Sequence, residues 1–272
     1  MDLAFFSGAL LFLFLATLHY LLYLVYQNPV VPRVARYALY LAFVCQTLFF
    51  STRLVKGGMP FGTNMYESLV FFSWCIVLSY LLVTVRYRVP VIGAFVMPIA
   101  LILSTAAAFL PQKGIEDIPP ALKSYWLPIH VTLCFMGDAL FAMAFGAAIM
   151  YLIQEKNLKR KKPGALYYSL PSLEVLDTVS YRALTIGFPF LTLGIITGSI
   201  WAQYAWGSYW QWDPKETWSL ITWLIYAALL HARLTVGWRG RKAAWFAIVG
   251  FLAVLFTFLG VNLILSGLHS YN

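Results

Sequence analysis

Charge is scarce in this 272-residue chain: Asp, Glu, Lys and Arg together make up 11% of it, while 61% is hydrophobic. Soluble domains carry roughly a quarter charged residues, so the composition excludes one and leaves no room for a hydrophilic domain. Cysteine is nearly missing too. Cys45, Cys75 and Cys134 are the three present, all within apolar runs and none in a CxxC or CxxCH spacing, which excludes a dithiol redox centre. Internal repeats and low-complexity segments are absent. Histidine occurs four times, few enough to consider each one.

What the chain has in quantity is long apolar runs. Eight are of membrane length, roughly 3–25, 36–55, 66–85, 90–109, 127–154, 180–204, 215–236 and 243–265. The expected fold class is therefore all-α, a polytopic membrane helix bundle of about eight transmembrane helices. The first run is too long for the core of a signal peptide and lacks a basic leader and cleavage site, so it reads as a retained helix. Of the 19 basic residues, 14 fall on the side reached after odd-numbered spans, including Arg33, Arg86, the Lys156–Lys162 cluster and Arg239. The positive-inside rule then puts both termini outside. The net charge of +9 is a matter of topology, and no nucleic-acid partner is called for.

Against this apolar background one stretch stands apart. WAQYAWGSYWQWDPKETWSLITW, Trp201 to Trp223, holds six of the ten tryptophans. One or two would anchor a helix end at the headgroups; six exceed that need. Indole faces stack on flat apolar ligands while each N–H can donate to a polar edge, so the stretch reads as a platform for a planar molecule. Asp213, Pro214 and Glu216 have the spacing of a cap, a first helical proline and a capping-box partner, which predicts a helix starting at Asp213. Trp206, Trp210 and Trp212 are then expected in the irregular segment on the outer side, with Trp218 and Trp223 on the helix. Asp213 itself reads first as a structural cap.

The string WGSYWQWDPKETW closely resembles the tryptophan-rich WWD signature of the cytochrome c assembly family, whose members handle haem during cytochrome c maturation. Together with GTNMYESLVFFSW (62–74) and SGLHSY (266–271), it looks most like the CcsA branch of that family. The resemblance divides the chain into an N-terminal transmembrane hairpin, 1–60, and a cytochrome c assembly membrane domain, 61–272, expected to act as one unit. It implies haem b, bound non-covalently and in transit, and presentation of that haem for attachment to the CxxCH of an apocytochrome c. Cytochrome c synthetase (haem lyase) activity would be shared with a CcsB-like membrane subunit and supported by thiol reductants. The membrane would be a cytoplasmic (inner) or thylakoid-type one, with the WWD loop on the outer, periplasmic side. A non-catalytic haem exporter of the CcmC type is the alternative, disfavoured by its shorter six-span plan. A quinone- or lipid-binding structural subunit is another.

Topology sorts the histidines into pairs. His130 opens the fifth span and His269 closes the eighth, both at the outer face beside the tryptophan loop, where two imidazoles could ligate haem iron. In proteins of the CcsA type the histidines flanking the tryptophan motif play this part. His231 lies deeper, and its place in YAALLHARL resembles a transmembrane haem ligand whose partner comes from the separate CcsB subunit. His19 lies at a similar depth and is a second candidate for that inner iron. No general base has suitable spacing, and no catalytic residue is assigned.

Other polar residues have plainer readings. Asn64 and Glu67 have capping-box spacing; Asp138, two turns below His130, should face the interior; and Arg53, Lys56, Lys123 and Lys215 are outer cations that could meet haem propionates. Gly194 and Gly198 allow close helix packing. KNLKRKKPG reads as a solvated anchor near anionic lipid, and Leu173, Leu176 and Val179 suggest a short surface helix.

Overall fold

The computed structural model describes residues 2–56, 62–87, 89–110, 123–160, 164–265 and 267, and these are helical with no strand among them. The helices are α1 (Asp2–Tyr23), α2 (Val30–Val55), α3 (Met65–Tyr87), α4 (Gly93–Phe109, entered through a 3-10 turn at Pro90–Ile92), α5 (Trp126–Lys159), α6 (Ala165–Ser169), α7 (Leu173–Trp206), α8 (Pro214–Thr235), α9 (Arg241–Leu255) and α10 (Val261–Ile264). A π turn, Phe256–Gly260, joins the last two. Seven of these stretches are long and apolar enough to cross a membrane, as an integral membrane protein of this composition requires. The eighth expected span, α8, has the length at 22 residues but not the same apolarity. Its sequence includes Lys215, Glu216, Thr217, Ser219, Thr222, His231 and Arg233. At 1.5 Å per residue, α5 and α7 with 34 residues each run about 50 Å, well beyond a hydrocarbon core of about 30 Å.

One expectation fails here. The short surface helix predicted around Leu173 is instead the first two turns of α7, which runs unbroken from Leu173 to Trp206. Neither glycine nor proline interrupts 173–186, and Leu176 and Val179 are buried, so helix propagation costs less than a stop.

The chain forms two compact units, Met1–Ile118 with Leu152–Leu176, and Pro119–Tyr151 with Asp177–Asn272. In the first, α1 packs on α2 and α4, and α3 on α4. Helix α1 buries Phe6, Ala9, Leu13, Ala16 and Tyr20, a spacing that keeps one stripe inward. Near its start a buried ion pair joins α2 to α3: Arg53 donates from Nε (3.1 Å) and from a terminal nitrogen (2.7 Å) to Glu67 Oε1, while Thr63 donates to Oε2. Asn64 does cap α3, accepting from Glu67 N–H at 2.9 Å. The Glu67 side chain, however, turns to Arg53 and Thr63, since a buried guanidinium needs its counter-charge more than a helix end needs a second acceptor.

The second unit is held by glycine contacts between α5 and α7. A Cβ on Gly194 would come 2.6 Å from Cys134 Sγ, one on Gly198 2.5 Å from His130 Cε1, and one on Gly137 3.0 Å from Leu191 N. The two helices therefore approach at the spacing that Gly194 and Gly198 foretell. At the far end of α8, Arg233 makes a two-point pair with Asp177, and Asp177 also accepts from Gly240 N–H at 3.1 Å. Helices α8 and α9 pack together, and Tyr226 of α8 stacks on Phe141 of α5 with ring centroids 3.7 Å apart.

Candidate functional site

The tryptophan loop is a short break between α7 and α8 whose ends follow from sequence. Helix α7 stops where Gly207 takes a φ of 75°, with its N–H bonded back to Gln203 O at 3.0 Å. Trp206 thus closes the helix rather than lying in the loop, whereas Trp210 and Trp212 are in the loop as expected. Helix α8 starts with the full capping box: Asp213 accepts from Lys215 N–H at 3.0 Å, and Glu216 accepts from Asp213 N–H at 3.1 Å, with Pro214 at the first helical position. Asp213 is 6% exposed, so it caps from within. Side chains satisfy the loop carbonyls, Ser199 donating to Tyr209 O at 2.7 Å and Ser208 to Trp210 O at 3.0 Å.

The indoles do not share one plane. Trp201 and Trp206 meet at 63° with centroids 4.8 Å apart, and Trp210 and Trp212 at 89° and 5.7 Å. Trp218 leans on Phe256 of the π turn at 4.3 Å. Trp223 is half-buried and ties α8 to α7, its Nε1 donating to Thr192 at 2.9 Å. Trp201 is buried, and Trp212 is 68% exposed.

His130 belongs to this site. Its ring lies nearly parallel to Trp201, 18° and 6.1 Å centroid to centroid. Nδ1 sits 2.7 Å from Gly194 O, and because a carbonyl can only accept, Nδ1 carries the proton. A neutral His130 ring therefore keeps its lone pair on Nε2. A ring nitrogen donating to a backbone carbonyl is the usual way a protein orients a metal-binding imidazole. His269 lies outside the described residues. Gly267, two residues earlier, stands against the cap: a Cβ there would meet Asp213 Oδ2 at 2.5 Å. Lys215, read from sequence as an outer cation, donates instead to Asn262 Oδ1 at 3.2 Å and so links α8 to α10.

The two deeper histidines fall in different units. His19, half-buried on α1, donates from Nδ1 to Leu15 O at 2.8 Å. His231 is exposed on α8. Asp138 is half-buried on α5, one turn beyond Cys134. Among the described residues no group of three or more His, Cys, Asp and Glu side chains converges to hold a bare metal ion.

Fold and site together define a polytopic helical membrane protein that displays a capped tryptophan loop beside an oriented histidine. Residues 63–269 match the family described as Cytochrome C assembly protein. The chain is 41% identical over 249 residues to cytochrome c biogenesis protein CcsA of Guillardia theta, covering 85% of this chain and 83% of that protein. It is 41% identical over 239 residues to CcsA of Prochlorococcus marinus strain MIT 9301, covering 80% and 77%. To CcsA of Chlamydomonas reinhardtii it is 45% identical over 230 residues, which span 82% of this chain and 64% of that longer protein. The chain belongs to the cytochrome c assembly protein family. In fold it is similar to a solved structure named Cytochrome c Heme Lyase CcmF, with a TM-score of 0.69 at 19% identity, covering 95% of this chain and 46% of that one.

Proposed function

We propose that this protein receives haem b non-covalently and presents it at the outer face of a cytoplasmic or thylakoid-type membrane for attachment to apocytochrome c. The observation that carries the reading is the His130 ring, set nearly parallel to Trp201 and oriented through Nδ1 by Gly194 O, an imidazole held as a metal-binding one is. Haem supplies four of its iron's ligands itself, so a site of one or two imidazoles suffices. His269 is the proposed second ligand, and the contact of Gly267 with Asp213 brings the chain to the loop two residues before it. Trp206, Trp210, Trp212 and Trp218 would flank the macrocycle, with Asp213 fixing the loop's exit.

The chemistry asked of the loop is mainly positioning. Each CxxCH thiol adds across a haem vinyl group, sulfur to one carbon and hydrogen to the other, with no net redox change. Holding vinyl and thiol in reacting distance removes much of the entropic barrier. Thiol reductants serve to keep the cysteines and iron reduced, and a CcsB-like subunit is the proposed membrane partner. His231 is proposed as a ligand for haem on its way outward. Its second ligand would come from that subunit.

Co-expression with an apocytochrome c and the partner subunit tests the reading. A synthetase leaves product whose haem survives acid–acetone extraction, and His130→Ala lowers its yield. Haem-loaded protein that never yields such product supports the alternative, a CcmC-type exporter or chaperone.

A further inference from the structure

We infer that Glu216 is the positioning residue for Trp212, and through it for the indole corner that the loop offers to a flat macrocycle. A single carboxylate oxygen, Oε2, accepts from the N–H of Gln211 at 2.8 Å and from that of Asp213 at 3.1 Å. These are the amides on either side of Trp212, whose φ of 57° lies in the left-handed region. A bulky L-residue is rare there and persists only where its surroundings hold it. Burial does not hold this one, because the Trp212 side chain is 68% exposed. Two hydrogen bonds to one oxygen do, helped by Thr217 Oγ1 donating to Trp212 O at 3.3 Å.

The consequence is geometric. With both flanking N–H groups turned to the same oxygen, the Trp212 indole is swung out of the loop and stands at 89° to Trp210. A strained residue that buries so little of its ring gains nothing from the protein interior. Its orientation is what the bridge preserves, and the chemical class that fits a right-angled indole corner is a planar aromatic macrocycle. The ligand half of this inference rests on the haem reading above; the backbone half does not.

The test uses the purified full-length protein and three variants. Glu216→Ala removes the acceptor. Glu216→Asp keeps the charge and the helix position but withdraws the oxygen by about one bond length, ~1.5 Å. Glu216→Gln keeps an uncharged oxygen at full reach. Hydrogen exchange of the 207–217 peptide follows the two amides, and transfer of bound haemin to apomyoglobin gives its dissociation rate. Ala and Asp are expected to lose the protection of two amides and to release haemin about tenfold faster, with Gln restoring both to within about threefold of wild type. Wild-type exchange and release in the Ala variant overturn the inference. So does equal failure of Gln and Ala, which would trace the effect to charge instead of the bridge. Should wild type bind no haemin, the haem reading falls, and the exchange comparison still decides the role of Glu216.

Discussion

Gly198→Ala offers a direct probe of the oriented histidine, because the new methyl would lie 2.5 Å from His130 Cε1 and 2.6 Å from Nδ1. Non-bonded carbons settle at about 3.5 Å or more, so ring or helix must move by roughly 1 Å. The ring cannot turn away without stretching its 2.7 Å bond to Gly194 O. Nor can α7 retreat freely, since Gly194 is packed against Cys134 one turn earlier. Overpacking of this kind costs about 1–3 kcal/mol, and loss of the carbonyl that orients a metal-binding imidazole typically weakens the metal site about 10–100-fold. Haem content and Soret position of purified protein are the assay, read beside thermal stability. Two controls separate the effects. In Gly137→Ala the methyl meets Leu191 N at 3.0 Å and Gly187 O at 3.1 Å without touching His130, so stability should fall while the Soret band stays. In Gly164→Ala it meets nothing within 4 Å, and both readouts should hold. Unchanged haem content and spectrum in Gly198→Ala, with stability alone lowered, would refute the idea that this contact orients the ligand.

Further outcomes follow from the same contacts. Arg53→Ala strands the buried Glu67 carboxylate, both side chains being 5% exposed, and should cost about 3–5 kcal/mol in detergent unfolding, whereas Arg53→Met with Glu67→Leu should cost far less. Trp223→Phe removes the 2.9 Å bond to Thr192 and should lower stability by about 1 kcal/mol while haem content stays within about twofold, which marks it as a strut and not part of the ligand surface. Asp213→Ala should cost about 0.5–2 kcal/mol as a lost cap, and Asp213→Asn, which can still accept from Lys215 N–H, should recover most of it.

Much of this was legible before any coordinates. Apolar runs located the long helices because a bilayer span demands length and apolarity together, but α2 and α7 start six and seven residues before the expected spans and α5 ends five after its own. The α8 cap was readable from Asp213, Pro214 and Glu216 alone, since capping is local. Gly194 and Gly198 announced a close approach, though not that Cys134 and His130 would fill it. What sequence hid depends on contacts between distant residues or on a single dihedral. The merger of the Leu173 segment into α7 required knowing that Leu176 and Val179 are covered by protein. The tautomer of His130 is set by a carbonyl 64 residues away. The left-handed Trp212 has no signature, because its conformation is sustained by one oxygen of Glu216 and not by its own residue type. Six tryptophans suggested a platform for a planar molecule, but not that Trp201 meets Trp206, and Trp210 meets Trp212, edge to face.

The central claim, that His130 Nε2 is a ligand to haem iron, is tested most directly by His130→Gly with imidazole added back. The account predicts a Soret band that shifts or weakens in the variant and returns as imidazole, entering the space left by the ring, binds the iron. A variant whose reduced spectrum already matches wild type, with no response to imidazole, would contradict it.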